Sequence, residues 1–164
     1  MEASSIFAAV PLETQVRVEP GWIDYNGHIQ DAYYGLVFSY AVDAFQDEIG
    51  FDRAYREQTG CTIYLVEEHK YFLREIKEND LVEVKIEVLE ATEKLFHLHC
   101  TMCKHETAVA ISELLEMHVK QKPTPHSVPI PGAILNRLRS LSLSHESKEK
   151  VSNRSRIISI NRKS

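Results

Sequence analysis

The stretch from Asp31 to Ile49 constrains this chain more than any other. Its apolar residues recur at helical spacing and cover nearly the whole circumference. Ala32, Tyr33, Leu36, Val37, Tyr40, Ala41, Ala44, Phe45 and Ile49 are core candidates, and Ser39, Asp43 and Asp47 leave one thin polar stripe. A helix with so narrow a wet face must be enclosed by other structure. Asp31 suits its N-terminus and Gly50 its end. Strand patterns supply the enclosure. A short run from Gln15 to Val18 precedes the helix, and four long ones follow, from Thr62 to Ile76, Leu81 to Leu89, Leu95 to Cys103 and Ala108 to Val119. The turns between the last three are short, which implies an antiparallel meander. One strand, one buried helix and four strands is an α+β order. About five antiparallel strands wrapped around one long central helix is the expected architecture. A sheet so used needs its remaining face or edge covered, and self-association is the common solution.

In the long strand from Thr62, strict alternation puts Ile63, Leu65, Glu67, His69, Tyr71 and Leu73 on one face and Thr62, Tyr64, Val66, Glu68, Lys70 and Phe72 on the other. His97 and His99 share a strand face; two ligands are too few for a zinc site, and exposed strand histidines are expected. Cys100 and Cys103 spell C-x-x-C, but their odd offset within a strand puts them on opposite faces, so reduced thiols are expected rather than a redox or metal pair. We expect an extension at 1–13, the folded domain at 14–122, an extension with room for a short helix at 123–140, and a mobile, Ser- and basic-rich tail at 141–164.

The sequence has 164 residues and a net charge of −5. That charge disfavours broad contact with nucleic acid or membrane surfaces. No apolar run has the length of a membrane span. Met1 to Ala9 lacks a basic n-region, so no secretory signal is expected and a cytoplasmic location is.

The chemistry points to the turn Trp22-Ile23-Asp24-Tyr25-Asn26-Gly27-His28, just before the helix. Alone, Asp24 would read as a turn aspartate bonded to its own backbone. Its neighbours alter that reading. Trp22 and Tyr25 are large for a plain exposed turn, Gly27 permits positive φ, and the helix start offers free N–H groups. A carboxylate beside such donors can attack a carbonyl or activate water. His28 could act as acid or base, or could orient the turn or bind ligand. No G-x-S-x-G nucleophile elbow is present. No Gly-rich phosphate cradle is present either.

The run from Trp22 to Tyr34, W-I-D-Y-N-G-H-I-Q-D-A-Y-Y, resembles the signature of hotdog-fold acyl-CoA thioesterases of the 4-hydroxybenzoyl-CoA thioesterase group. Within that group it is most similar to the betainyl-CoA thioesterase branch, associated with carnitine breakdown. Thr62-Ile63-Tyr64, Val66-Glu67, His69, Leu73-Arg74-Glu75 and His118 also resemble that branch. The resemblance spans about Val16 to Val119. It implies a hotdog fold, hydrolysis of an acyl-CoA without any other cofactor or metal, and a homodimer or homotetramer with the site between subunits. It implies Asp24 as nucleophile or general base and the backbone N–H at or near Asp31 as the carbonyl-polarising donor. Gln30 stands where the family commonly has Asn. For the acyl group we expect Trp22, Tyr25, Asn26, Gly27, His28, Tyr33, Glu67 and His69 to contribute, the aromatics and Glu67 being able to hold a quaternary ammonium. Two other readings stay open: a hotdog enoyl-CoA hydratase or dehydratase, and a non-catalytic acyl-CoA binding protein.

Overall fold

The computed structural model describes residues 14–155. The expected extension at 1–13 and the last nine residues of the tail lie outside them. Strand β1 (Thr14–Arg17) leads through a short 3-10 turn to helix α1 (Asp31–Ile49). Gly50 closes the helix at φ 115°, a left-handed conformation that favours glycine. Helix α2 (Arg53–Thr59) follows, capped by the Asp52 carboxylate, which accepts the Tyr55 N–H. Then come β2 (Cys61–Phe72), β3 (Leu81–Ala91), β4 (Leu95–Lys104) and β5 (Thr107–Lys120). A two-residue strand β6 (His126–Ser127), α3 (Gly132–Leu141) and α4 (His145–Lys150) complete the described chain.

The strands form one antiparallel sheet in the order β1-β3-β4-β5-β2, with β6 beside β5. α1 lies across one face of it. Val37, Phe38, Ala41 and Phe45 pack against Val84 and Val88 of β3, Phe96, Leu98, Cys100 and Met102 of β4, and Leu114 of β5. Full enclosure of α1 was expected and is not quite reached. Tyr34, Phe38 and Val42 are buried where Ala32 and Tyr40 were expected to be, and Ser39, Asp43 and Asp47 stay wet as expected. The buried row is rotated because the helix leans towards β1 and β3, which leaves a groove on the β2 side.

β2 departs from strict alternation. Leu65 pairs with Glu116 and Glu67 with Leu115, so Val66 has no partner on β5. One extra residue in a strand reverses the face of everything beyond it. Ile63 and Leu65 point to the helix side, and then so do Glu68, Lys70 and Phe72, opposite Leu114, Ser112 and Ala110. Glu67, His69 and Tyr71 therefore face outward, contrary to the face assigned by alternation. Phe72 ends the strand, four residues short of the expected Ile76.

Residues 141–155, expected as a mobile tail, include α4 and make hydrogen bonds to the sheet. β1 pairs only with the first part of β3, so the later edge of β3 is free to take Ser142 and Leu143, with Leu143 N–H donating to the Val88 carbonyl at 2.9 Å. The chain then reaches the outer face of the sheet. There Glu113 sits 2.8 Å from His97 Nε2 and accepts the Arg154 guanidinium at 3.1 Å and the Ser155 N–H. His99 Nε2–H donates to the Ser152 carbonyl at 3.2 Å. His97 and His99 are consequently buried, not exposed. Cys61, Cys100 and Cys103 are all buried free thiols. Cys100 belongs to the core under α1, whereas Cys103 feels the charges of Lys85 and Glu83.

Candidate active site

The turn before α1 is closed by an Ile23–Ile29 bridge, with Asp24 N–H donating to the His28 carbonyl at 2.8 Å and Gln30 N–H to the Trp22 carbonyl at 2.9 Å. Gly27, at φ 81°, supplies the left-handed residue that lets the chain reverse. Its N–H donates to the Asp24 carbonyl at 3.1 Å. The Asp24 carboxylate looks back on this turn. Its Oδ1 accepts the Asn26 N–H at 2.8 Å and the His28 N–H at 3.4 Å. Oδ2 takes no hydrogen bond among the described residues. The side chain is thus oriented through one oxygen while the other remains available.

Two further groups complete the junction. His28 Nε2 lies 2.8 Å from Glu75 Oε2, in the loop after β2, which fixes the imidazole against the helix start. At that start Gln30 caps with no side-chain bond, and the Asp31 carboxylate takes the Ala32 N–H at 2.9 Å. Tyr33 N–H donates to the Gln30 carbonyl. Asp31 N–H carries no hydrogen bond among the described residues, so it is the donor that the helix terminus leaves over. Asp31 lines a 310 Å³ cavity together with His28, Tyr34, Phe72 and Glu75 among others. A positive helix end with one unpaired N–H stabilises an oxyanion there. Asp24 does not line this cavity.

The remaining predicted residues are dispersed. Trp22 and Tyr33 stack on each other at 5.4 Å between centroids, and Trp22 lines a separate space between β1 and α1. Tyr25, at the tip of the turn, is 97% exposed. Glu67 and His69 lie on the outer face of β2, His69 against the Tyr71 ring. The structure therefore brings Asp24, Asn26, Gly27 and His28 together in one turn and puts His28 and Asp31 on one cavity, which Asp24 does not line, and it does not gather Trp22, Tyr25, Tyr33 and Glu67 around one point.

A second cavity, of 330 Å³, was not foreseen. It occupies the groove between α1 and β2, about one to four helix turns beyond Asp31, and is floored by β5. Ser39 and Asp43 edge it from the helix, Glu68 and Lys70 from β2, and Leu114 and Glu116 from below. Glu68 accepts the Lys70 ammonium at 2.6 Å and the Ser112 hydroxyl at 2.7 Å. Glu116 is 3% exposed and has no hydrogen bond or ion pair among the described residues. Burial, with Asp43 and Glu68 nearby, pushes its carboxyl up to about 7. Asp43 is itself raised, by partial burial and by Asp47. One signal in the sequence pointed here: Ser112, Leu114, Glu116 and His118 alternate onto the core face of their strand. Farther along that face, His118 is satisfied. Its Nδ1–H donates to the Val128 carbonyl at 3.0 Å, which leaves Nε2 to accept the Tyr55 hydroxyl at 2.7 Å. Burial lowers its pKa, so the ring is held neutral.

Comparison with known proteins bears on the family and the fold. Residues 18–138 match the thioesterase-like superfamily. The chain is 39% identical to the betainyl-CoA thioesterase of Pseudomonas aeruginosa over 133 residues, 80% of this chain and 83% of that one. It is 31% identical to the L-carnitine dehydrogenase/betainyl-CoA thioesterase of Rhizobium meliloti, covering 87% of this chain and 29% of the longer relative. Among solved structures, a hypothetical protein from Staphylococcus aureus in complex with CoA superposes with a TM-score of 0.73 at 23% identity, over 84% of this chain and 90% of that one. A gentisyl-coenzyme A thioesterase superposes at 0.68 with 20% identity, over 76% and 98%. The expected hotdog architecture is therefore the observed one. The chain belongs to the thioesterase-like superfamily.

Proposed function

We propose that this chain hydrolyses an acyl-CoA thioester at the junction of the turn and α1, with betainyl-CoA as the substrate. The observation that carries the reading is the pair of uncommitted groups in one short segment. These are a carboxylate oxygen of Asp24, already oriented through its partner oxygen, and the unpaired N–H of Asp31. In the reaction the thioester carbonyl accepts the Asp31 N–H. Asp24 takes a proton from water as the hydroxide adds to the carbonyl carbon. The tetrahedral intermediate then expels the CoA thiolate, which recovers the proton from Asp24. A thiolate leaves readily, so one base and one oxyanion donor are enough. Direct attack by the Asp24 carboxylate, followed by hydrolysis of the resulting anhydride, uses the same groups. Gln30, through its exposed side chain, takes no part in holding them. Enoyl hydration, the competing enzymatic reading, would call for a different pairing of acid and base.

Similarity to betainyl-CoA thioesterases supports the choice of acyl group, and the fused Rhizobium meliloti relative supports a place in carnitine breakdown. No helix among the described residues is long and apolar enough to cross a membrane. Three free thiols accord with a cytoplasmic setting. β2 forms one edge of the sheet and exposes Tyr64, Leu65, Val66 and Phe72. We assign this edge to a second copy of the chain, since a long apolar edge left open invites pairing. The decisive test is Asp24→Asn. Thiol release from betainyl-CoA should fall at least about a hundredfold, with the thermal midpoint unchanged. A folded variant with undiminished turnover would remove Asp24 from the mechanism.

A further inference from the structure

The shortness of the betainyl group fixes where its charge can be recognised. One methylene separates the carbonyl carbon from the ammonium nitrogen. With the carbonyl oxygen at hydrogen-bond distance from the Asp31 nitrogen, the cation lies within about 7 Å of that nitrogen. The acidic end of the groove between α1 and β2 is out of reach, since Asp43 stands about 18 Å of helix rise beyond Asp31. Glu67 is on the outer face of β2. Recognition has to come from the walls of the 310 Å³ cavity that Asp31 itself lines. That volume is at the small end of ligand pockets, as a short acyl group requires.

Those walls suit the task. A quaternary ammonium has no N–H to donate, so aromatic faces and a nearby carboxylate hold it. Both are present. Tyr34 and Phe72 meet edge to face in the lining, 5.1 Å between centroids at 77°. Tyr34 is buried and anchored, its hydroxyl donating to the Arg74 carbonyl at 3.3 Å. Phe72 ends β2 on the helix side, opposite Ala110, yet is 53% exposed. A half-bare phenyl ring beside a cavity is a ready surface for methyl groups carrying positive charge. Two carboxylates, Asp31 and Glu75, stand in the lining against one guanidinium, Arg74. Glu75 is already engaged by His28 at 2.8 Å. The Asp31 carboxylate takes the neutral Ala32 N–H at 2.9 Å and has no ion pair among the described residues, so its charge is uncompensated.

Resting on the thioesterase reading above, we infer that the cavity lined by Asp31, Tyr34 and Phe72 receives the quaternary ammonium of the acyl group, with the Asp31 side chain as its counter-charge. Asp31 then serves twice. Its main-chain N–H holds the carbonyl oxygen, and its carboxylate holds the cation beside that carbonyl. The rings of Tyr34 and Phe72 take the methyl groups. The two duties of Asp31 are separable, because an asparagine at the same position keeps the main-chain donor and an oxygen for the Ala32 N–H while losing the charge.

The test compares betainyl-CoA with 3,3-dimethylbutyryl-CoA, in which carbon replaces the charged nitrogen at the same shape. The wild-type enzyme should favour the cationic thioester, and Asp31→Asn should lower the ratio of the two kcat/KM values by about tenfold or more. A role for the Asp31 side chain in helix capping alone would slow both thioesters alike and leave the ratio where it was. A calorimetric titration with glycine betaine runs beside it, and binding should weaken about tenfold in the same variant. An unchanged ratio in folded D31N would overturn the assignment. So would a fall in the ratio on Glu67→Gln or Glu116→Gln in place of D31N. Absence of thiol release from both thioesters would refute the thioesterase reading, and the glycine betaine titration would then decide the cation site by itself. If D31N fails to fold, Phe72→Leu replaces it, with a fall in the ratio of about threefold expected from the lost ring face and an unchanged ratio again fatal.

Discussion

Glu113 and Glu116 stand three residues apart on β5, are 0% and 3% exposed, and titrate in opposite directions. Burial would raise both. At Glu113, on the outer face, His97, the Ser155 N–H and Arg154 more than offset it and hold the carboxyl below the usual range. At Glu116, on the helix side, nothing offsets it, and two further carboxylates add to it. An odd offset in a strand was enough to divide the two between faces. The lesson is that burial alone does not set the direction in which a carboxylate shifts. A full set of partners marks Glu113 as a fastening for the C-terminal segment, whereas the missing set leaves Glu116 without a counter-charge.

Substitution separates the two most sharply. Glu113→Ala removes the anchor of Arg154 and Ser155 and strands His97, so urea unfolding at pH 7 should show a loss of about 4 kcal/mol. A loss below about 1 kcal/mol would show that the outer cluster holds nothing. The pH dependence should come next in size. Glu116 is protonated in both states below 4.5, its ordinary value, and costs the folded state nothing there. As the pH rises past 4.5 the unfolded chain ionises first, and the folded chain is progressively penalised until Glu116 itself ionises near 7. Glu116→Gln should therefore gain stability relative to wild type between pH 4.5 and 7, by up to roughly 3 kcal/mol. A gap that stays flat across this window would mean that Glu116 is not strained by its surroundings. Glu113 runs the other way. Its contribution is whole above 4.5 and is lost as the pH falls through its depressed folded value. The smallest effect belongs to His118, which shares the face of Glu116 but has partners. Tyr55→Phe leaves His118 Nε2 without its hydroxyl and should cost about 1 kcal/mol in thermal unfolding. No measurable change would show that Nε2 needs no partner.

Local signals served the sequence reading well. α1 begins at Asp31 and ends at Gly50 because a capping position and a left-handed glycine are written into the chain at those points. β3, β4 and β5 lie within two residues of their expected bounds, since each is a strand-like run and turns separate them. The turn at Asp24 was legible for the same reason: the hydrogen bonds of the Asp24 carboxylate join residues no more than four apart. What escaped depends on distant partners. His97 and His99 look exposed until residues some fifty positions later fold over them. Glu67 and His69 were expected on the face of Ile63 and Leu65 because the slip at Val66 exists only against β5. The 330 Å³ cavity follows from the tilt of α1, which no single segment encodes.

The slip at Val66 gives β2 an unusual kind of mutability. Deleting this single residue would leave every remaining pair with β5 as it is and only straighten the strand. Losing the slip at constant length would instead turn over the remainder of the strand, presenting Glu67, His69 and Tyr71 to the groove and carrying Glu68, Lys70 and Phe72 out of it. An imidazole and a phenol would then replace an ammonium and a phenyl ring along the groove. The groove's chemistry in chains of this kind can therefore change through register alone, a step that comparisons of aligned composition would pass over.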